Sequence, residues 1–177
     1  MELFSRAKRP VILTGPEIRR QVLAGAIVIE PFSLVQLNPN SYNYRLGSHM
    51  RVLMSDAHQP VEDVDLRAGP VVLQPGTVYL GHTLEIIGSN EYVTLLNGRS
   101  SMGRLGLFLN FSADLGHLGP AHKWTLEMKV VQPLRVHYGM KVGQATFWIP
   151  EGRINQYTGE YAQHSDPTQD LRFLEYR

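Results

Sequence analysis

The sequence predicts a mainly β protein of the sandwich, jelly-roll or barrel type. From Val71 onward it contains many short stretches of β-branched, aromatic and aliphatic residues, and proline or glycine stands at most of their junctions. Short strands separated by turns at this spacing are typical of those three architectures. A helical repeat of apolar residues occurs near the amino terminus, so one short helix is expected beside the strands.

That helix is predicted at 15–24. Thr14 and Glu17 have the spacing of a capping box, in which the threonine caps the helix and the glutamate bonds back to it. Pro16 is suited to the first turn of a helix, and Gly25 is expected to end it. An apolar stripe along one side would pack this helix on the remainder of the protein.

Strands are predicted wherever apolar and β-branched residues run between turn residues. A turn is expected at 37–41, and a loop or mobile hairpin at 56–69, where charge, proline and glycine mix. The predicted strands are Ile27–Ile29, Tyr42–Leu46, Met50–Met54, Val71–Leu73, Val78–Ile87, Tyr92–Leu96, Leu107–Phe111, Lys123–Val131, Leu134–Tyr138 and Lys141–Ile149.

The chain has the size and composition of one soluble domain. It has 177 residues, 43% of them hydrophobic, and a formal net charge of +1. This charge is too small for a general attraction to nucleic acid or to an acidic membrane, so neither is expected as a partner. We expect a single domain over 1–177, with a loose arm at 1–10 and a polar tail at 150–177 that is either a frayed terminus or a segment that closes over a ligand.

Cysteine and histidine usage limit the possible chemistry. The sequence has no cysteine, which excludes disulfides, thiolate catalysis and cysteine-ligated zinc. Its seven histidines lack the spacing of a known metal motif, so no protein-bound metal is expected. No apolar run is long enough to span a bilayer, and the first residues lack a secretory apolar region, which together predict a cytoplasmic protein.

A glycine- and serine-rich stretch, Asn97–Leu107, is the first candidate site. It reads N-G-R-S-S-M-G-R-L-G-L and lies between two predicted strands. Its glycines permit tight turns, and Ser100 and Ser101 can cap a short helical turn whose free N–H groups would face an anion. Arg99 and Arg104 supply forked positive charge suited to phosphate. A solvated surface turn is the alternative interpretation of the same residues.

Strand Lys123–Val131 is the second candidate. Alternation directs Leu126 and Met128 to one side of the strand and Glu127 to the other. Glu127 can act as a general base and acid if its face lines a cleft shared with the first candidate stretch. An ordinary half-buried strand with Glu127 in water is the alternative.

Together these motifs resemble the dCTP deaminase branch of the dCTP deaminase/dUTPase superfamily. The resemblance rests on Gly98–Leu107, continued through Asn110–Ala113, on T-L-E-M at Thr125–Met128, on Gly139–Gln144, on Asn40–Gly47, and on the tail Tyr157–Gln163 with Pro167, which resembles the family's closing arm. It implies a distorted β-barrel or jelly roll of the dUTPase-like β-clip type with few helical turns, assembled as a homotrimer with active sites between subunits. It also implies hydrolytic removal of the cytosine amino group of a nucleotide, by default dCTP, with Mg²⁺ entering only on the triphosphate.

By position, the resemblance assigns roles to individual residues. Glu127 would move protons between water and the leaving nitrogen, and Arg104 would lie beside it. Ser100 and the backbone carbonyl of Ala113 would orient the water. The residues implied in binding substrate or phosphate are Arg99, Ser100, Ser101, Arg104, Asp114, His117, Tyr157, Tyr161 and Gln163.

The chain departs from the family pattern in the loop before the glutamate strand. His117 stands where the family has an aspartate that meets the sugar 3′-hydroxyl and that serves hydrolysis in dUTPases. This departure weighs against pyrophosphate cleavage and leaves the sugar preference open. The alternatives to a dCTP deaminase are a dUTP pyrophosphatase-like hydrolase, a deaminase of a ribo- or modified cytosine nucleotide, and a nucleotide-binding trimer without turnover.

Overall fold

The computed structural model describes residues 12–53, 60–110, 114–158 and 166–167, without the side chains of residues 60 and 61. These residues contain two α-helices, α1 at Gly15–Leu23 and α2 at Ser100–Arg104, and a 3-10 turn at Leu34–Gln36. Strands β1 to β13 are, in chain order, Val28–Glu30, Tyr42–Arg45, His49–Leu53, Pro60–Asp65, Val71–Leu73, Val78–His82, Ile86–Ser89, Val93–Gly98, Leu107–Leu109, Gly119–His122, Thr125–Val130, Leu134–Val136 and Lys141–Trp148. The predicted mainly β fold is therefore confirmed.

The strands of the described residues form four antiparallel sheets. The largest has the order β4-β3-β6-β11-β9, so β11 lies inside it and β9 forms one edge. Two three-stranded sheets have the orders β2-β13-β8 and β1-β7-β10, and β12 pairs with β5. Most neighbouring strands are distant in the chain, so long-range pairing positions the candidate site residues on β8, β9 and β11.

Helix α1 has the predicted position, but the predicted capping box does not form. Thr14 occupies the N-cap without a side-chain hydrogen bond to the helix. The carboxylate of Glu17 instead accepts hydrogen bonds from Arg20 Nη2 at 2.6 Å and Gln21 Nε2 at 2.7 Å, which lower the pKa of Glu17 to about 2. Partners three and four residues ahead therefore hold this side chain away from the helix start. Gly25, with a φ of 78°, follows the helix as predicted.

The predicted strand Val78–Ile87 is divided into β6 and β7, because the chain turns a corner and passes from one sheet to another. Glu85 fixes this corner with a carboxylate that is fully buried. Its oxygens accept hydrogen bonds from the backbone N–H of Arg45 at 2.8 Å and from Arg45 Nε at 2.7 Å. Thr83 Oγ1 donates to the backbone carbonyl of Glu85 at 2.7 Å. The strand-forming residues predicted as one strand, Val78–Ile87, therefore contain a corner, which is fixed by contacts with the distant residue Arg45.

The region predicted as a loop or mobile hairpin at 56–69 contains strand β4, which forms a hairpin with β3. Arg51 lies opposite Asp63 in this ladder, and Arg51 Nε donates to Asp63 Oδ1 at 3.1 Å. Opposite charges that face each other stabilise an antiparallel pair. The acidic residues of this region therefore belong to a paired strand rather than to a loop. Residues 54–59 lie outside the described part of the chain.

The core lies between the inner faces of the sheets. Tyr44 is a fully buried member of it, and Tyr44 Oη donates to the carbonyl of Asn97 at 3.2 Å. The Tyr44 ring occupies the space that a Cβ at position 143 would need, and Gly143 lies opposite Tyr44 on the neighbouring strand. Other fully buried side chains are Tyr42, Leu46, Met50, Leu73, Leu126, Met128 and Phe147.

Candidate active site

Strand β11 presents Glu127 on the outer face of the five-stranded sheet. Leu126 and Met128 are fully buried on the inner face, whereas Glu127 is half-buried and Lys129 is exposed. This alternation confirms the orientation predicted for the strand. Glu127 is therefore held by a strand that is fixed in the core, while its side chain lies on the opposite face.

The outer face around Glu127 is partly apolar. Leu80 lies directly opposite Glu127 on β6 and is 6% exposed. Phe108 lies opposite Lys129 on β9 and is 47% exposed, and Val131, just after β11, is 69% exposed. A half-buried carboxylate beside accessible apolar side chains suits a planar heterocycle when a further surface covers the site.

The stretch predicted to bind phosphate forms helix α2 and its flanks. Met102 is 9% exposed and fixes this short helix to the core. The four residues predicted to contact phosphate lie between positions 99 and 104, at the N-cap and within the helix: Arg99 is half-buried, and Ser100, Ser101 and Arg104 are exposed. The structure therefore brings these four residues together on an accessible surface.

One detail of the prediction for this stretch is wrong, the serine cap. Arg99 occupies the N-cap position and makes no side-chain cap hydrogen bond, so Ser100 and Ser101 begin the helix rather than cap it. Of its three glycines, only Gly106 has a positive φ, of 84°. Gly106 turns the chain from α2 into β9, and its carbonyl accepts a hydrogen bond from Val131 N–H at 3.1 Å. The turn geometry thus depends on one glycine, not on three.

In the described part of the chain, the Glu127 side chain is not bonded to the serines and arginines of the first candidate stretch, although the backbones of the two stretches pair at Val130 and Leu107. Among the described residues, no hydrogen bond or ion pair connects Glu127 with Ser100 or Arg104. The predicted contact between Arg104 and Glu127 therefore stays a prediction for an assembly of several chains.

The loop at 114–118, which carries Asp114, is held against β8. Leu96 N–H donates to the carbonyl of Asp114 at 3.0 Å, and the Asp114 side chain is exposed. The loop is shorter than predicted, because Gly119 begins strand β10. This strand pairs with β7 through an irregular register. Its glycine, proline and irregular pairing explain why the sequence pattern does not reveal it.

His117 and Tyr157, both predicted to bind substrate, contact each other. Their ring centroids are 4.8 Å apart and their planes are inclined by 24°. Tyr157 N–H also donates to the carbonyl of Leu118 at 2.8 Å, so the first part of the tail lies on this loop. Three other predicted site residues lie outside the described part of the chain: Ala113, Tyr161 and Gln163.

Asn110 holds the main chain of Glu127, a role that its sequence pattern does not predict. Asn110 has a φ of 45° and is 8% exposed. Its side-chain Oδ1 accepts a hydrogen bond from Glu127 N–H at 3.1 Å, and its own N–H donates to the Glu127 carbonyl at 2.9 Å. The one signal in the sequence is that asparagine adopts the left-handed conformation more readily than most residues.

The described side chains include no group of three or more histidines, aspartates and glutamates that could hold a metal ion. In the same part of the chain, no helix has the length and apolar character needed to cross a membrane.

A mainly β fold with an outward carboxylate on a core strand and a separate serine–arginine turn agrees with the class of protein that the motifs resemble, the nucleotide hydrolases. The dCTP deaminase-like family matches residues 12–149. The chain belongs to this family, which confirms the resemblance seen in its motifs. The enzyme class predicted from the sequence, a hydrolytic nucleotide deaminase, is confirmed with it.

Relatives of this chain are similar over most of their length. The "dCTP deaminase, dUMP-forming" of Leptospira biflexa is 40% identical over 157 residues, which are 85% of this chain and 90% of the relative. The protein of the same name from Hathewaya histolytica is 37% identical over 172 residues, 94% of this chain and 99% of the relative. The "dCTP deaminase" of Rhodopirellula baltica is 39% identical over 164 residues, 90% of this chain and 82% of the relative.

A solved structure has a similar fold. It is the crystal structure of 2'-deoxycytidine 5'-triphosphate deaminase from Agrobacterium tumefaciens, with a TM-score of 0.63 and 26% sequence identity. The similarity covers 82% of this chain and 50% of that chain, so this chain spans about half the length of the solved protein.

Proposed function

We propose that the protein removes the 4-amino group of dCTP by hydrolysis and produces dUTP and ammonia. The observation that carries this proposal is the position of Glu127, which is half-buried on the outer face of the five-stranded sheet with its main chain held by Asn110. The names of the three relatives support dCTP as the nucleotide.

Glu127 is the proton shuttle in this proposal. Its carboxylate takes one proton from a water molecule while the water oxygen bonds to C4 of the cytosine ring. The protonated Glu127 then gives this proton to the exocyclic nitrogen, the C4–N bond breaks, and ammonia leaves. The 4-hydroxy ring moves its remaining hydroxyl proton to N3 and becomes uracil, so the carboxylate is ready for another cycle.

Residues around α2 bind and orient the reactants. The hydroxyl of Ser100 and the carbonyl of Ala113 orient the water, and Arg104 holds the Glu127 carboxylate. Arg99 and Ser101 bind phosphate, which agrees with their accessibility beside an exposed helix start. The residues proposed to enclose the base, sugar and phosphates are Asp114, His117, Tyr157, Tyr161 and Gln163.

A homotrimer with active sites between subunits is part of the proposal. Glu127 and Arg104 are not joined within the described part of one chain, so their contact requires a neighbouring subunit. The exposed apolar side chains of Phe108 and Val131, on the same face as Glu127, support a partner surface that covers them. A mass measurement in solution tests the trimer directly.

The reaction is proposed to use no protein-bound metal, with Mg²⁺ entering on the nucleotide triphosphate. The amino-acid composition supports a mechanism without zinc, because the sequence has no cysteine for a zinc deaminase signature. A base must then activate the water in place of a zinc ion, which is the task assigned to Glu127. The cytoplasmic location also remains part of the proposal.

A second candidate reaction, favoured by the names of two of the relatives, ends at dUMP. That reaction adds pyrophosphate cleavage to deamination. We propose dUTP as the product because the family resemblance implies an aspartate for pyrophosphate cleavage at the position of His117, and this chain has an imidazole there instead of a carboxylate.

A substrate panel distinguishes these reactions. The protein is incubated with dCTP, CTP, dCMP and dUTP, each with Mg²⁺, and ammonia and pyrophosphate are measured separately. We expect ammonia without pyrophosphate from dCTP. Pyrophosphate together with ammonia from dCTP would support the dUMP-forming reaction, and pyrophosphate from dUTP alone would support a pyrophosphatase.

The role of Glu127 is tested by Glu127→Gln, which keeps the shape of the side chain but cannot accept the proton. We expect it to bind dCTP normally and to lose at least about 10³-fold in kcat. Glu30→Gln, an exposed glutamate on β1, is the matched control and should retain full activity. Turnover by Glu127→Gln at more than a tenth of the wild-type rate would refute the mechanism.

A further inference from the structure

We propose that Asn110 is a positioning residue for the deamination, because it fixes the main chain that carries Glu127. The inference rests on the proposed role of Glu127 and assigns to Asn110 no contact with the substrate. Asn110 lies at the end of β9, at the point where the chain leaves the five-stranded sheet.

The side chain of Asn110 completes the ladder at the residue where the strand ends. In a regular antiparallel pair, two opposite residues exchange two backbone hydrogen bonds. Here the Asn110 N–H donates to the Glu127 carbonyl at 2.9 Å, as such a pair requires. The second bond, from Glu127 N–H, goes to Asn110 Oδ1 at 3.1 Å in place of a backbone carbonyl. Glu127 therefore keeps both hydrogen bonds although its partner strand has ended.

Two requirements meet at position 110, and asparagine satisfies both. The φ of 45° lies in the left-handed region, which glycine, asparagine and aspartate adopt more readily than other residues. The Glu127 N–H also needs an acceptor, because an unpaired buried donor is costly. Glycine offers no side-chain acceptor, whereas aspartate offers one but adds a negative charge at a site that is 8% exposed.

The consequence for Glu127 is a fixed backbone on both sides of its Cα. Leu126 and Met128 are fully buried and hold the strand from the core side, while Asn110 holds it from the β9 side. A general base must lie within hydrogen-bond reach of the water that it activates, and a displacement of about 1 Å can reduce the rate about 100-fold. The two hydrogen bonds to Asn110 prevent such a displacement of the Glu127 main chain.

The test compares Asn110→Gly with Leu109→Ala, a neighbouring substitution on β9. Glycine keeps the backbone conformation and removes the acceptor, whereas Leu109→Ala removes a core side chain that is 8% exposed and leaves both bonds to Glu127. We expect Asn110→Gly to lower kcat for dCTP at least about 30-fold with KM changed less than about threefold. The amide proton of Glu127 should also exchange faster with solvent. Leu109→Ala should lower Tm at least as much but keep kcat within about threefold.

A kcat for Asn110→Gly within threefold of the wild type would overturn the inference, as would an equal loss of kcat in Leu109→Ala. Glu127→Gln is assayed in parallel: if it remains active, the proposed function fails, whereas an inactive Glu127→Gln beside a fully active Asn110→Gly removes only the role of Asn110. If Asn110→Gly does not fold, Asn110→Asp, which keeps the shape and the acceptor oxygen, carries the test. We expect it to retain slow exchange at Glu127 and at least a tenth of the wild-type kcat, and a folded protein below a hundredth would contradict the inference.

Discussion

The carboxylate of Glu85 holds Arg45 at two points, the backbone N–H at 2.8 Å and Nε at 2.7 Å. Glu85 is fully buried, while the Arg45 side chain is 26% exposed. The pair joins β2 to the corner between β6 and β7, and Leu84 N–H donates to the Arg45 carbonyl at 2.7 Å. A buried carboxylate of this kind is tolerated only while its charged partner is present.

We therefore expect Arg45→Met to lower the free energy of unfolding by about 3 kcal/mol, because the Glu85 charge remains buried without its partner. Urea unfolding at neutral pH measures the effect. Arg51→Met is the matched control: it breaks the ion pair with the exposed Asp63, and we expect a loss of less than about 1 kcal/mol. Equal losses of unfolding free energy in the two variants would show that the buried Arg45–Glu85 pair stabilises the fold no more than the exposed Arg51–Asp63 pair.

His82 is a buried histidine that the folded protein keeps neutral. Its Nε2 accepts a hydrogen bond from His49 N–H at 3.2 Å, and its Nδ1 is therefore the nitrogen that donates to the Thr83 carbonyl at 2.8 Å. Burial lowers the pKa of His82, the charges of Lys123 and His49 lower it further, and the Thr83 carbonyl and Asp166 act against them. This pair of hydrogen bonds therefore requires a neutral imidazole that carries its proton on Nδ1.

This depressed pKa makes stability depend on pH in one direction. The unfolded chain binds the proton near pH 6.5, before the folded chain does, so the contribution of His82 is complete above about pH 6.5 and is lost as the pH falls through the folded pKa. The slope from this one group is at most about 1.4 kcal/mol per pH unit.

Unfolding free energies at about pH 7.5 and about pH 5 should differ less in His82→Gln than in the wild type. His137→Gln, which removes an exposed histidine, should retain the wild-type difference, and an unchanged difference in His82→Gln would contradict this account.

The stack of Tyr157 on His117 attaches the first part of the tail to the loop at 114–118. An aromatic pair of this kind contributes about 0.5–1.5 kcal/mol, which corresponds to about a 2- to 10-fold change in the detached fraction. Tyr157→Ala should therefore raise the rate of proteolytic cleavage within 150–177 by about that factor, and Tyr157→Phe should not. Tyr138→Ala, at an exposed tyrosine, is the control. Cleavage of Tyr157→Ala at the wild-type rate would show that the stack does not hold the tail.

Arg104 is exposed near the end of α2, where its charge is available to a nucleotide or to a neighbouring subunit. A charge-assisted hydrogen bond lost from the bound state should reduce kcat/KM for dCTP about 10- to 100-fold in Arg104→Ala. Arg135→Ala, an exposed arginine on β12 in another sheet, should leave kcat/KM unchanged. Wild-type kinetics in Arg104→Ala would remove this arginine from the site.

The strands near the site could be predicted because their alternation follows from burial on one face. Leu126, Glu127 and Met128 have the orientation that the sequence indicated. Likewise the short turn between β8 and β9 was expected from its serines and glycines, and it forms helix α2. Local patterns of this kind are visible in a single stretch of chain, so they need no knowledge of its partners.

Features that depend on distant partners could not be predicted in the same way. The corner at 83–85 depends on Arg45, which is far away in the chain. The role of Asn110 likewise requires knowing that Glu127 lies opposite it. Each of these outcomes is decided by which side chain arrives from elsewhere, and the local sequence does not contain that information.

The Tyr44 ring fills the space above Gly143, so a larger residue at position 143 is compatible with this packing only when the aromatic ring at position 44 is replaced as well. Evolution can therefore enlarge the residue at position 143 only together with a change at position 44. Homologous sequences should carry this constraint as correlated substitutions between the Asn40–Gly47 and Gly139–Gln144 motifs, a covariation that arises from steric exclusion rather than from catalysis.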